Sequence, residues 1–304
     1  MNEATRARET LIALHGRLTS SLLQKDPSLE VKEDEWKRKE GGGGKTWAVT
    51  NGDLIEKGGI NFSDVRGNKL PKAATQNRPE LTDSTFRAMG VSVVFHPDNP
   101  HVPTAHANVR YFEATTPANE KVWWFGGGFD MTPYYPVLED AVSWHKAARD
   151  TCEPYGAKLY PKFKEWCDQY FYLPHRKETR GIGGIFFDDY SEGGFEQSLE
   201  FINSVGNTFN DAYFKIAEKR RNKAFDHKQK SFQRYRRGRY VEFNLVYDRG
   251  THFGLQSNGR TESILMSMPP TAEWAYDWSP EKGSEEYNLY LHYLKPRDWL
   301  NETA

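Results

Sequence analysis

VSVVFHPDNPHVPTAHANVRYFE, residues 91–113, holds the pattern on which the fold turns. Two runs, 91–96 and 105–113, alternate small or apolar with polar side chains, and a Pro/Asn/Asp-rich connection separates them. Alternation with a period of two is the signature of strands, because successive side chains point to opposite faces. His106, Asn108, Arg110 and Phe112 then share one face, with Ala107, Val109, Tyr111 and Glu113 on the other. In the first run Ser92 and His96 lie opposite Val91, Val93 and Phe95. If the runs pair as an antiparallel hairpin, Ser92, His96, His106, Asn108 and Arg110 line one polar surface. A solvated sheet face is the alternative reading of that surface.

Working outward, a third strand is expected at 121–125, running into Gly126, Gly127 and Gly128. Upstream, residues 1–40 read as an amphipathic N-terminal helix, with Leu11, Leu14, Leu18 and Leu22 on one stripe, followed by a charged loop. Four glycines (41–44) and a short strand at 46–50 follow, while the apolar residues of 51–68 look too scattered for a regular element. Pro79 suits the first turn of a short helix over 79–89 that stops at Gly90. Downstream, helices are expected at 136–152, 160–172 and 195–237, strands at 184–190 and 240–247, and a last helix at 285–294. No repeat or linker divides residues 1–304. The expected fold is one α+β domain, a large, mostly antiparallel sheet flanked by helices on both faces.

The composition sets limits. Hydrophobic residues make up 37% of the 304, and the mean hydropathy is −0.81, but 18 Phe, 16 Tyr and 9 Trp supply a core. Lys plus Arg (41) nearly cancels Asp plus Glu (42), so no global field favours nucleic acid. Residues 219–239 are strongly basic, which fits a solvated helix face better than a nucleic-acid surface. Cys152 and Cys167 lack CxxC spacing, and no apolar run is long enough to span a membrane. Glu3 and Glu9 argue against a transit peptide, so a cytoplasmic location is expected.

A second constellation lies at the end of the 240–247 segment, where Asp248 and Arg249 precede Gly250. Asn258, Gly259 and Arg260 form a candidate anion site, since glycine admits close backbone approach and guanidinium matches a carboxylate. Gly44-Lys45-Thr46 lacks the remaining glycine of a phosphate-binding loop, and His96, His106, His145 and His175 show no metal-motif spacing.

Longer stretches carry a resemblance: GGGGKT (41–46), HANVRYFE (106–113), WFGGGFDMTPYY (124–135), GIGGIFFDDY (181–190), RRGRYVEFNLVYDRGTHFG (236–254) and NGRTESILMSMPP (258–270). Together they resemble the oxygen-dependent coproporphyrinogen III oxidase family. Lys45 stands where that family has arginine, Asn258 where glycine is frequent, and Ala107 and Val109 where bulkier residues are common. The resemblance implies conversion of coproporphyrinogen III to protoporphyrinogen IX with O2 as co-substrate and no organic cofactor. It also implies a homodimer whose interface involves residues 240–275. Asp248 would meet the pyrrole N–H groups beside Arg249, and His106 would donate a proton. Arg110 and Arg260 are the candidates for the propionates, with Ser92, Asn108, Val109, Asn258 and Gly259 among the substrate contacts. Bacterial members are described with a divalent metal, such as manganese, at four histidines that match His96, His106, His145 and His175. A metal-dependent oxygenase or hydrolase and a non-catalytic tetrapyrrole carrier are the rival readings.

Overall fold

A computed structural model describes residues 2–39, 41–70, 78–257 and 259–301. Six consecutive strands form an antiparallel meander: β1 (Glu30–Lys37), β2 (Gly42–Thr50), β3 (Ile55–Gly67), β4 (Thr85–Pro97), β5 (Thr104–Thr115) and β6 (Lys121–Thr132). After helices α2 (Leu138–Cys152) and α3 (Leu159–Tyr170) and a two-residue hairpin, β7 (Tyr172–Leu173) with β8 (Glu178–Thr179), strand β9 (Gly183–Tyr190) pairs with β6 to complete seven strands. Helix α1 (Glu3–Lys25) precedes the sheet. Helices α4 (Gly194–Arg220), α5 (His227–Val246), α6 (Arg249–Gln256), α7 (Thr261–Leu265) and α8 (Glu285–His292) follow it.

The register meets the central expectation. Val91 lies opposite Val109, Ser92 opposite Asn108 and Val94 opposite His106, so the polar residues of the two strands do share a face. Val91, Val93, Phe95, Ala107, Val109, Phe129 and Ile185 cover the other face, where they pack with the leucine stripe of α1 and with Phe209 and Tyr213 of α4 in one buried core. Removing this much apolar surface from water is the main force holding the layers together. The polar face is covered only in part, by α5, α6 and α7. Tyr240 and Met266 pack on Val94 there, and Phe171 and Phe243 pack near Phe186.

Five expectations require correction. The charged stretch 30–40 is mainly strand β1, and its charge suits an exposed sheet edge that must not recruit other chains. Residues 51–68 contain β3, where Gly58 and Gly59 leave gaps in the apolar pattern because Met266 sits over Gly59. Pro79 starts only a single 3-10 turn (Pro79–Leu81), and Gly90 lies inside β4, where an added Cβ would meet the Val109 carbonyl oxygen at 2.8 Å. Finally, 240–247 is not a strand: it is the last part of α5. The helical region expected at 195–237 is two helices, the second opened by an Asp226 capping box.

Candidate active site

The floor of the site is the polar face of β5 and β6. Arg110 donates from Nη1 to Asn108 Oδ1 at 2.9 Å, and its Nη2 lies 3.0 Å from Asp188 Oδ1 on β9. Ser92, half-buried, lies across from Asn108. Gly126, opposite Arg110, leaves the room this ion pair occupies: a Cβ there would lie 2.6 Å from Asp188 and 2.7 Å from Arg110. Burial works against the Arg110 charge, but Asp188, Tyr170 and Asp248 outweigh it and raise its pKa.

One wall comes from the junction of α5 and α6, where Asp248 is the N-cap of α6. Its Oδ2 accepts from the Thr251 N–H (2.7 Å) and hydroxyl (2.8 Å), and its Oδ1 accepts from the Tyr170 hydroxyl (2.8 Å). Burial alone would raise the Asp248 pKa. The donors from Tyr170 and Thr251, helped by nearby His106, bring it below the usual 3.8. Arg249 lies over the rings of Tyr170 (5.1 Å) and Phe186 (5.7 Å), with Nη2 3.8 Å from Asp188 Oδ2.

Between floor and wall runs a buried ionic chain. His106 Nδ1 is 3.0 Å from Asp130 Oδ1, and Arg180 donates to both oxygens of Asp130 (2.7 and 2.8 Å) and to Asn244 Oδ1 (2.7 Å). Phe171, Tyr240 and Phe243 enclose the Arg180 guanidinium at 4.2, 4.5 and 4.8 Å. Burial opposes the Asp130 charge, yet Arg180 and His106 hold its pKa below 3.8. A buried pair of this kind keeps its charge only because each lone pair and proton finds a partner. The residue-by-residue reading missed Asp130, Arg180, Asp188 and Tyr170. Asp130 was reachable through strand register, since it lies opposite His106, and Asp188 stands within a motif already singled out. Arg180 and Tyr170 give no local signal.

The structure therefore brings together His106, Asn108, Arg110, Asp248 and Arg249. Other candidates lie elsewhere. Val109 points to the opposite face and is buried in the core, as its odd position in the strand requires, so its side chain is not a substrate contact. Arg260, the N-cap of α7, is bound to Asp34 on edge strand β1. The Gly259 N–H donates to the Gly254 carbonyl at 2.7 Å, so this amide is already used. Asn258 lies outside the described residues.

The four histidines do not converge. His96 contacts Thr104 Oγ1 (3.2 Å) and the Ser267 carbonyl (2.9 Å). His145 contacts Tyr160 (3.1 Å) and the Ile182 carbonyl (2.9 Å), and burial pushes its pKa down to about 3. His175 contacts Tyr247 (2.9 Å) and Glu242 (2.7 Å). Among the described residues no group of three or more His, Cys, Asp or Glu side chains could hold a metal ion. The residues present do not fit the implied metal.

The basic segment is not a free cationic surface. Lys219 and Arg220 pair with Glu139 and Asp140, and Lys230 pairs with Asp98. Arg236 and Arg237 are buried against Glu178 and Glu56. Both cysteines are buried and free, and no described helix is long and apolar enough to cross a membrane. Compared with known families, residues 6–299 match the model described as coproporphyrinogen III oxidase.

Proposed function

Because the chain belongs to the coproporphyrinogen III oxidase family, enzymes of porphyrin biosynthesis, we propose that it converts coproporphyrinogen III to protoporphyrinogen IX with O2 as oxidant. Each of two propionate arms becomes a vinyl group: the carboxyl leaves as CO2, and the two protons and two electrons released reduce one O2 to H2O2. The reading needs no organic cofactor, since electron-rich pyrroles supply the reducing electrons.

The observation that carries this reading is the grouping of Arg110, His106 and ionised Asp248 at one part-open face. Arg110, with Arg249 beside it, suits the carboxylate of a propionate arm. Asp248 accepts pyrrole N–H groups and stabilises positive charge as the ring gives up electrons. His106, oriented by Asp130, supplies a proton to reduced oxygen. A passive carrier would need the arginines but not an ionised carboxylate held ready by three donors.

We propose that the enzyme works as a homodimer through the segment 240–275, which exposes Leu245, Val246, Leu255, Leu265 and Trp274. Free, buried Cys152 and Cys167 favour a reducing compartment, and we place the activity in the cytoplasm. The test is to mix enzyme and coproporphyrinogen III without oxygen, admit O2, and separate the products. Vinyl products should form only after O2 enters. Equal turnover without O2, or binding with no vinyl product, would overturn the reading.

A further inference from the structure

We propose that Asp188 is a positioning residue that clamps Arg110 and Arg249 into a cation pair aimed at one carboxylate arm of the substrate. The inference rests on the function proposed above. Two guanidinium groups brought together over one aromatic ring repel each other, and nothing in their own strands or helices holds them side by side. Arg110 comes from the middle of β5, whereas Arg249 opens α6. Both lie near the Phe186 ring, at 5.9 and 5.7 Å, and Asp188 stands two residues further along β9. Its two oxygens divide the work: Oδ1 is 3.0 Å from Arg110 and Oδ2 is 3.8 Å from Arg249. The three groups sum to one net positive charge, enough to attract a carboxylate while the cations stay in register.

Two features mark the arrangement as built in. Gly126 is the floor under the contact, and no larger residue fits without pushing Asp188 and Arg110 aside. The next residue, Asp189, takes a left-handed backbone (φ 52°) and pairs with Arg78 at 2.8 Å, anchoring the strand end that carries Asp188. Arg110 and Arg249 nevertheless keep a third to a half of their side-chain surface open, so an incoming carboxylate can reach them.

The test measures steady-state kinetics with coproporphyrinogen III and equilibrium binding of oxidised coproporphyrin III, a tetracarboxylate that needs no turnover, for Asp188→Asn and Gly126→Ala. Both variants should raise KM and the porphyrin Kd about tenfold while kcat changes less than about threefold, the pattern of lost uniform binding. Asp188→Glu, which restores the charge, should recover part of the affinity. Unchanged affinity in folded Asp188→Asn overturns the proposal. Tighter binding overturns it as well, because Asp188 would then be a competitor of the substrate, and so does a loss confined to kcat. If Asp188→Asn does not fold, Gly126→Ala decides alone. A wild-type protein that binds the porphyrin but yields no vinyl product refutes the proposed function and leaves this binding test intact.

Discussion

Asp248 is the N-cap of α6 and, in the proposed function, also the carboxylate that meets the macrocycle, and substitutions can separate the two roles. Asparagine caps helices about as well as aspartate, whereas alanine gives up about 1 kcal/mol. Asp248→Asn should therefore keep the α6 cap, lose at neutral pH only the part of the stability that depends on the charge, and lower kcat by about 100-fold or more with little change in KM, as expected for an interaction made mainly in the transition state. Kinetics comparable to wild type would remove Asp248 from the chemistry. The sign of its pH effect follows from its lowered pKa. The charge, and the stability its donors provide, is complete above the ordinary value of 3.8 and is lost as pH falls through the lower folded value. A stability profile of the asparagine variant should lack this acid-side loss. The thiols give a simpler case: burial raises Cys152 to about 12 and Cys167 well above its ordinary value, so neither should react with iodoacetamide until the protein unfolds. Labelling of the native protein at neutral pH would contradict that. His106, Arg110 and Asp248 were legible in the sequence because strand alternation and a turn flagged them. Asp130 could be reached only through the register that sets it opposite His106, and Arg180 not at all, because its meaning lies in a loop that folds over the sheet.

The 240–247 segment shows where periodicity misleads. YVEFNLVY alternates well enough to read as a strand, yet in α5 the buried residues are Tyr240, Phe243 and Asn244, the i, i+3, i+4 stripe of a helix. Leu245 stays exposed at its end, and its outward apolar side chain completed the false alternation. Strand β1 failed in the opposite sense, since edge strands shed the hydrophobic half of their pattern. Gly238, inside α5, looks like a weakness that alanine should repair, because alanine gains about 1 kcal/mol in a helix interior. Its surroundings argue otherwise. The segment after α7 crosses here: the Glu273 N–H donates to the Arg234 carbonyl, and a Cβ on Gly238 would meet the Glu273 carbonyl oxygen at 2.8 Å and the Trp274 ring at 3.2 Å. Gly238→Ala should therefore destabilise the protein by about 1 kcal/mol, in the range of overpacked sites. It should also free Trp274, whose indole N–H donates to Glu242 at 2.8 Å. Thermal melting and tryptophan emission would check both effects, and a stabilised variant would mean that the crossing segment yields easily.

Among the described residues, exposed large apolar side chains are unevenly spread. Of thirteen, seven fall between positions 245 and 278: Leu245, Val246, Leu255, Leu265, Trp274, Tyr276 and Trp278. The other six are scattered singly, as on any soluble surface, so this segment is the one that calls for a partner. A second copy of the chain fits, because a two-fold axis lets one self-complementary patch cover itself. If a second copy docks there, the position of the patch would tie assembly to the proposed chemistry. Leu245 and Val246 end α5 immediately before the turn that presents Asp248, and the Asp248 N–H is bonded back to the Phe243 carbonyl at 3.0 Å. Covering these two residues would hold the turn, and with it the Asp248–Arg249 pair. The protein should accordingly run in light scattering at twice 35.1 kDa. Replacing Leu245 and Val246 together by aspartate should give a folded monomer whose kcat falls along with its assembly. A wild-type monomer would refute the interface. A monomeric variant with full kcat would keep the interface but break its link to the site, leaving the short α6 able to hold Asp248 in place by its own cap.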